Sequence, residues 1–303
     1  RINPVALKMM QYVPLPNREG TGPARVNNFA FQPVSSINSD QWSVRIDHRL
    51  SDRHSFFARA TRNTGDSGAG GPFNTIADNV LGIIVNRVFN FVLNDTYTFS
   101  PTRLLNWRYG VTRRFEGRAP IHDGEVNLTD LGFPSSIAAA SQEQTFPTIT
   151  FSNYGQWGPP GGDRIRRGND IHTWVADVTE IHGRHTLNFG GDLRLYNQTP
   201  FQGGSPSGAY SFSQSFTQGP NPVASSLTAG DAFASLLTGF GTGSINSVPA
   251  LAIRNTYWAL FLNDEIKMGK LTLNAGLRYD VEEPRTERYN RFATFDFTGA
   301  FPI

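Results

Sequence analysis

The sequence predicts an all-β protein built from about ten long antiparallel strands. Apolar and polar side chains alternate strictly, the alternating runs are longer than ordinary strands, and the connections between them are tight and long by turns. Successive side chains of a strand point to opposite faces, so a period of two marks a sheet whose faces meet unlike surroundings. Over residues 271–281, Leu271, Leu273, Ala275, Leu277, Tyr279 and Val281 fall on one face, and Thr272, Asn274, Gly276, Arg278 and Asp280 on the other. Residues 187–195 repeat the arrangement, with Leu187, Phe189, Gly191, Leu193 and Leu195 opposed to Asn188, Gly190, Asp192 and Arg194. In residues 105–111, Leu105, Trp107, Tyr109 and Val111 oppose Asn106, Arg108 and Gly110. β-branched and aromatic residues are plentiful in these runs, as strands favour.

Weaker alternation predicts strands over residues 40–49, 55–62, 84–99, 170–182 and 255–267, with a short one over 209–216. Two residues break the pattern: Asp95 shares the apolar face of Phe91, Leu93 and Tyr97, and Phe57 shares the polar face of Arg59 and Thr61. Residues 51–53, 100–103, 183–184 and 268–270 are tight turns, whereas 63–79, 116–169 and a stretch beginning at Gln198 are long. A barrel spanning an outer membrane accounts for long connections at every second position, with short turns inside and long loops outside. Alternating direction then makes 209–216 descend and a segment within 240–248 rise. Residues 230–239 between them read as a short helix with Asp231 as N-cap and Gly239 as its stop. Residues 1–39 are rich in Pro and Asn, lack sustained periodicity, and read as the end of a plug or lead-in segment; residues 40–303 are the barrel portion.

Composition excludes several alternatives. The 303 residues carry 17% charged and 12% aromatic side chains, with 23 Phe, too much apolar ring for a disordered chain. With no Cys there is no disulfide, thiolate metal site or thiol nucleophile. The only lysines are Lys8, Lys267 and Lys270, and the arginines are scattered among Asp and Glu rather than clustered in a stripe, which argues against nucleic acid as a partner. The longest apolar run, residues 80–85, is interrupted by Gly82 and too short for a membrane helix, a result that leaves β-barrels untouched. A start at Arg1 and a stop after Ile303 in mid-pattern read as a fragment.

The length of the 271–281 run suits a membrane-crossing strand, for which about 9 to 11 residues are needed. Arg45, Asp47, Arg108, Asp177, Asp192, Arg194, Arg278 and Asp280 then face a wet lumen, because a cation facing lipid near the midplane costs roughly 2 to 4 kcal/mol. Trp42, Trp107, Tyr109, Trp174, Tyr196, Tyr257 and Tyr279 are assigned to interfacial girdles. No catalytic constellation emerges: residues 204–208 place Pro206 where a hydrolase elbow needs Ser, residues 239–243 lack dinucleotide-loop spacing, and His182 and His185 have no third metal ligand nearby. No cofactor is implied. Arg164, Arg166 and Arg167, in the longest loop with Tyr154 and Trp157, are the candidates for contacting an unknown ligand, since guanidinium forks and aromatic faces suit anionic or glycan-like groups.

Several segments resemble a family. The run Asp40-Gln41-Trp42-Ser43-Val44-Arg45-Ile46-Asp47-His48 looks like the first barrel strand of Oar-like TonB-dependent transporters. Residues 182–192 and 271–280 resemble two of that family's strand signatures, and residues 233–239 and 12–17 add weaker matches. The resemblance implies an outer-membrane barrel of about 22 strands enclosing a plug, with nutrient import energised by TonB, so that outer-membrane lipid, TonB and a ligand are the implied partners. No TonB box is recognisable, so coupling is implied by the family alone. The alternatives are a passive or adhesive outer-membrane barrel without TonB coupling, and a soluble β-sandwich binding module.

Overall fold

The computed structural model describes residues 2–22, 25–161, 163–221, 223 and 229–293. Eight long antiparallel strands form one open, curved sheet: β1 (Ser35–Ser51), β2 (His54–Ala69), β3 (Ile83–Ser100), β4 (Arg103–Ala119), β6 (Ile165–His182), β7 (His185–Gln202), β10 (Ile253–Met268) and β11 (Leu271–Glu282). Each pairs with its predecessor in that order, and the two-residue β12 (Thr286–Glu287) adds to the far end of β10. Among the described residues β1 and β11 each have one strand neighbour, so the sheet does not close. The tight turns predicted from sequence all fall at one end of this wall, and the long connections at the other.

Register makes the alternation collective. Val44 pairs with Ala60, Ala60 with Phe91, Phe91 with Val111, and Trp107 with Ala176. Ala176 pairs with Gly191, Gly191 with Leu260, and Leu260 with Tyr279. The apolar rows of all eight strands therefore share one face, and a one-residue slip anywhere would break the band. Among the described residues no second layer covers it: Leu277 is 77% exposed, Leu193 and Leu273 are also exposed, and Leu187 and Trp107 are half-buried. A two-layer sandwich would have buried these leucines, so the soluble-module alternative has no support in this architecture.

Both anomalies of the sequence pattern find partners. Asp95, on the apolar face, lies 2.8 Å from His54 Nε2 near the turn end. Phe57, on the polar face, lies beneath the Arg45 guanidinium, whose carbon is 3.9 Å from the ring centroid.

The wall departs from the sequence reading between β7 and β10, which pair directly. Residues 209–216 and 240–248 do not add wall strands. Instead β8 (Ser205–Phe212) pairs in parallel with β5 (Thr148–Phe151) and antiparallel with β9 (Thr242–Asn246) in a separate sheet. Direction is preserved because two strands have been removed together. The predicted helix is present as α3 (Ala232–Thr238), capped by Asp231, which accepts from the Phe233 and Ala234 amides, and ended by Gly239 in the left-handed region. Tyr196 and Tyr257 fall on the polar face and leave the girdle; Trp42, Trp107, Tyr109, Trp174 and Tyr279 share the apolar face.

The hydrophobic core lies in a cap over the loop end. The first described segment contributes α1 (Pro4–Met10), whose N-cap Asn3 accepts from the amides of Val5 and Ala6. Ala6 and Met9 pack with Ala77, Leu128, Leu131, Phe146, Ile149, Trp157, Phe212 and Leu236, which come from three long connections. A short helix, α2 (Ser135–Ala140), belongs to the second of them. The Asn3 amide donates to Leu237 O at 2.8 Å, and Thr75 Oγ1 to Tyr12 O at 2.5 Å. β1 starts at Ser35 rather than Asp40 and enters the sheet from this same end.

Candidate functional site

Two arrangements gather chemistry: a charged ladder on the polar face of the wall, and the cap. The ladder follows from the two-residue period, which brings residues i and i+2 of a strand together on one face. Arg45 Nη2 meets Asp47 Oδ1 at 2.6 Å, Arg194 Nη2 meets Asp192 Oδ2 at 2.5 Å, and Arg278 Nε meets Asp280 Oδ1 at 3.0 Å. Arg108 Nε donates to Asn94 Oδ1 at 3.2 Å, and Asp177 Oδ2 accepts from Asn106 at 3.3 Å and from Asn188 at 3.5 Å. All eight charged residues singled out in the sequence stand on this face, but they do not form one cluster.

The densest group spans β7, β10 and β11. Asp192, Ala259 and Asp280 are in line across the three strands. Ala259 is 1% exposed, and its small side chain lets the arginines of the outer two strands approach, with Arg278 Nη2 4.0 Å from Asp192 Oδ2. Tyr257 closes the group: its hydroxyl donates to Asp280 and accepts from Arg278 Nη2 at 2.8 Å, while the Arg194 guanidinium carbon lies 5.0 Å from its ring centroid. Tyr257 shares parity with Phe261 and Asn263, opposite Trp258 and Leu260. That parity was the signal available in the sequence for taking it out of the girdle.

The five residues expected in the longest loop divide: Tyr154, Trp157 and Arg164 lie in the cap, whereas Arg166 and Arg167 fall on the first residues of wall strand β6, paired with β4 and β7. Trp157 is buried, exchanges both backbone hydrogen bonds with Ile149 and packs against Phe151 and Phe233. Arg164 is buried and paired with Asp123 and Glu143. Tyr154 is half exposed and donates to Asp231 Oδ2 at 2.7 Å, a bond that with partial burial pushes its pKa up to about 12. Burial opposes ionisation of Asp231, but the bonds from Tyr154 and from the Ala234 and Phe233 amides outweigh it and hold that pKa down. Arg166 stands 3.6 Å from Glu143, and Arg167 donates to Gln202 Oε1 at 2.6 Å and to Glu116 at 3.4 Å.

The cap is tied to the wall by buried charge that the sequence did not reveal. Asp163 accepts from the Gly82 amide at 3.0 and 3.1 Å and pairs with Arg118 Nε at 2.9 Å. Gly82 is required there, since a Cβ would sit 1.6 Å from Ala119 O. Burial raises the Asp163 pKa despite the Gly82 amide and the two arginines. His122 bridges Asp78 at 3.1 Å and Glu125 at 3.0 Å; burial disfavours its charge, but these two bonds prevail and raise its pKa. Among the described residues no three His, Asp or Glu side chains gather as a metal set, and no helix is long and apolar enough to cross a membrane.

Comparison with known proteins places this geometry. The model of the family described as "Outer membrane beta barrel domain" matches residues 1–301. No curated protein matches. Among solved structures, the chain is similar to BauA, the ferric preacinetobactin receptor from Acinetobacter baumannii, at 12% identity and a TM-score of 0.42. That match covers 86% of this chain and 36% of the receptor. It is similar also to the outer membrane transporter YddB from Escherichia coli, at 10% identity and a TM-score of 0.36, covering 81% and 34%. The chain thus spans about a third of the length of these two proteins.

Proposed function

This chain belongs to the outer membrane β-barrel domain family, and from that premise we propose that it forms part of the wall and outer cap of a TonB-dependent receptor that imports a nutrient ligand. The protein resides in the outer membrane. The observation that carries the proposal is the in-register apolar band backed by a charged opposite face, topped by a packed cap at the loop end. The resemblance of residues 40–48, 182–192 and 271–280 to Oar-like transporters supports the finer assignment, including TonB as partner. On this reading the polar ladder lines the lumen. Ligand contact falls to the exposed Tyr154 and Arg166 and the half-buried Arg167, with Trp157 and Arg164 fixing their positions. Because β1 descends from the loop end, we assign residues 2–34 to the outer cap rather than to a plug rising from the periplasm, and residues 35–293 to consecutive barrel strands with the remaining cap segments as their long connections.

The test is fractionation of the full-length gene product in a Gram-negative host, followed by site-directed cross-linking to TonB. Recovery in the outer membrane with a TonB adduct is expected. Recovery there with no adduct would establish the passive or adhesive barrel instead.

A further inference from the structure

The third long connection differs from the rest of the chain in charge. Residues 203–252 hold one charged side chain, Asp231, in a protein where 17% are charged, and they carry ten Ser, four Thr and eight Gly. Asp231 is occupied by Tyr154 and by the amides of Phe233 and Ala234. Loops of this composition bind through hydroxyls, amides and rings, which adapt to a ligand without needing charge on it. Within the connection, Phe216 and Phe240 stand together on the cap, centroids 6.5 Å apart and planes 23° from parallel, and both are exposed. Phe240 leads into β9, an edge of the small sheet, where Thr242, Ser244 and Asn246 alternate onto one face. All three are exposed, and their side chains make no hydrogen bond among the described residues. A row of free donors and acceptors thus continues from an aromatic platform. Tyr154 lies at the other end of α3, which is seven residues and so about 10 Å long.

Charge balance decides against an anion. The cap segments, residues 2–34, 70–82, 120–164 and 203–252, carry four basic and eight acidic side chains. Three of the four cations, Lys8, Arg18 and Arg25, belong to the segment ahead of β1. The arginines of the expected contact are already matched: Arg164 with Asp123 and Glu143, Arg166 with Glu143, and Arg167 with Glu116. Carboxylates are engaged as well, Asp163 with Arg118, and Asp78 and Glu125 with His122. What the third connection turns to solvent is therefore hydroxyl, amide and ring.

We propose that Phe216, Phe240 and the row of Thr242, Ser244 and Asn246 bind an uncharged oligosaccharide as the ligand of the receptor. The axial C–H groups of a sugar with equatorial hydroxyls make an apolar face that lies against an aromatic ring, while its rim of hydroxyls both donates and accepts. Thr, Ser and Asn side chains also do both, so the pairing needs no ionised group. The inference rests on the receptor reading and adds to it the class of ligand.

The test uses the full-length protein in a polyoxyethylene detergent, free of sugar headgroups, titrated calorimetrically with cellohexaose, xylohexaose and mannohexaose. At least one should bind, with an affinity that stays the same between about 0.05 and about 0.5 M salt. The anionic hexagalacturonate should bind about 10-fold more weakly. Phe216→Ala/Phe240→Ala should weaken the bound saccharide about 30-fold, and Thr242→Ala/Asn246→Ala about 10-fold. Phe99→Ala, which removes an exposed ring beside a tight turn at the opposite end, should change nothing. Silence from all three saccharides, tighter binding of hexagalacturonate, a steep loss with salt, or an equal loss in Phe99→Ala would overturn the site. If the ring variant does not assemble, hydrogen exchange in the wild type decides: the bound saccharide should slow exchange over residues 213–217 and 238–246, and unchanged exchange there is refuting. A protein that occupies the outer membrane and cross-links to TonB yet binds none of these saccharides removes this ligand class and leaves the importer; saccharide binding without a TonB adduct keeps the site and removes import.

Discussion

Replacing Leu277 by Arg isolates the difference between the two faces of the wall. Leu277 is 77% exposed, pairs with Leu262 across β10 and β11, and stands six residues above Leu271 at the turn. Six residues place it about 15 Å along the membrane normal, close to the middle of a band about 25 Å tall. The next residue, Arg278, is already an arginine at the same depth, held on the polar face by Asp280 and Tyr257. The same charge, one residue away, thus differs only in what solvates it. A lipid-facing cation near the midplane costs roughly 2 to 4 kcal/mol, which is about 30- to 1,000-fold in the folding constant. Asn274→Arg is the companion: it lies on the polar face opposite Glu265 and should change stability by less than about 1 kcal/mol. The assay is urea unfolding of the full-length protein assembled in phosphatidylcholine vesicles, followed by tryptophan fluorescence. Equal destabilisation by the two substitutions, or the reverse order, would refute the assignment of the apolar face to lipid.

Ala259→Leu should push the arginines of β7 and β11 apart and break the 4.0 Å Asp192–Arg278 approach; overpacking of this kind costs about 1 to 3 kcal/mol, measured by the same vesicle unfolding. Asp163→Ala should remove the buried carboxylate that pairs with Arg118 and accepts from the Gly82 amide. A loosening of about 3 kcal/mol follows, visible as faster hydrogen exchange over residues 79–83 while the wall strands keep their protection. His122 makes the cap pH-dependent. Its folded pKa is raised, so its contribution is complete below its ordinary value of about 6.5 and is lost as pH rises through the raised value. The protection factor over residues 120–126, exchange corrected for its intrinsic base catalysis, should therefore be lower at about pH 8.5 than at about pH 6, and His122→Gln should flatten the difference; an unchanged profile in that variant would exclude the His122 bridge to Asp78 and Glu125 as its source.

The wall was legible because its two faces meet different solvents, and residues 187–195 and 271–281 carry that difference in unbroken alternation. The cap was not. β5 and β9 are four and five residues long, too short for a period to show, and β5 joins β8 in parallel across nearly sixty residues of chain. Residues 209–212 alternate well enough to pass for a wall strand, and only the direct pairing of β7 with β10 shows that they are elsewhere. Asn3 before Pro4 is a readable N-cap with proline in the first helical turn, but the seven-residue helix that follows is too short to carry a visible period. Arg164 and Trp157 have the composition of a contact surface. Whether such groups face ligand or core depends on Asp123, Glu143 and Phe233, distant in sequence.

Wall and cap are held together by different physics, and that division bears on how an outer ligand could be sensed. The wall is a single layer whose large apolar side chains are exposed in the isolated chain, so it draws its order from backbone pairing and from lipid. The cap has a dry core drawn from three connections and from the segment ahead of β1, and Phe151, Tyr154, Trp157 and Phe233 form one aromatic cluster within it. Displacing the exposed Tyr154 therefore strains the Asp231 cap of α3, and through Leu237 it reaches Asn3 and α1. Interiors packed in this way resist continuous deformation. The loops should then respond to a contact at Tyr154 as one body against the wall, hinging where Asp163 and Arg118 fasten them.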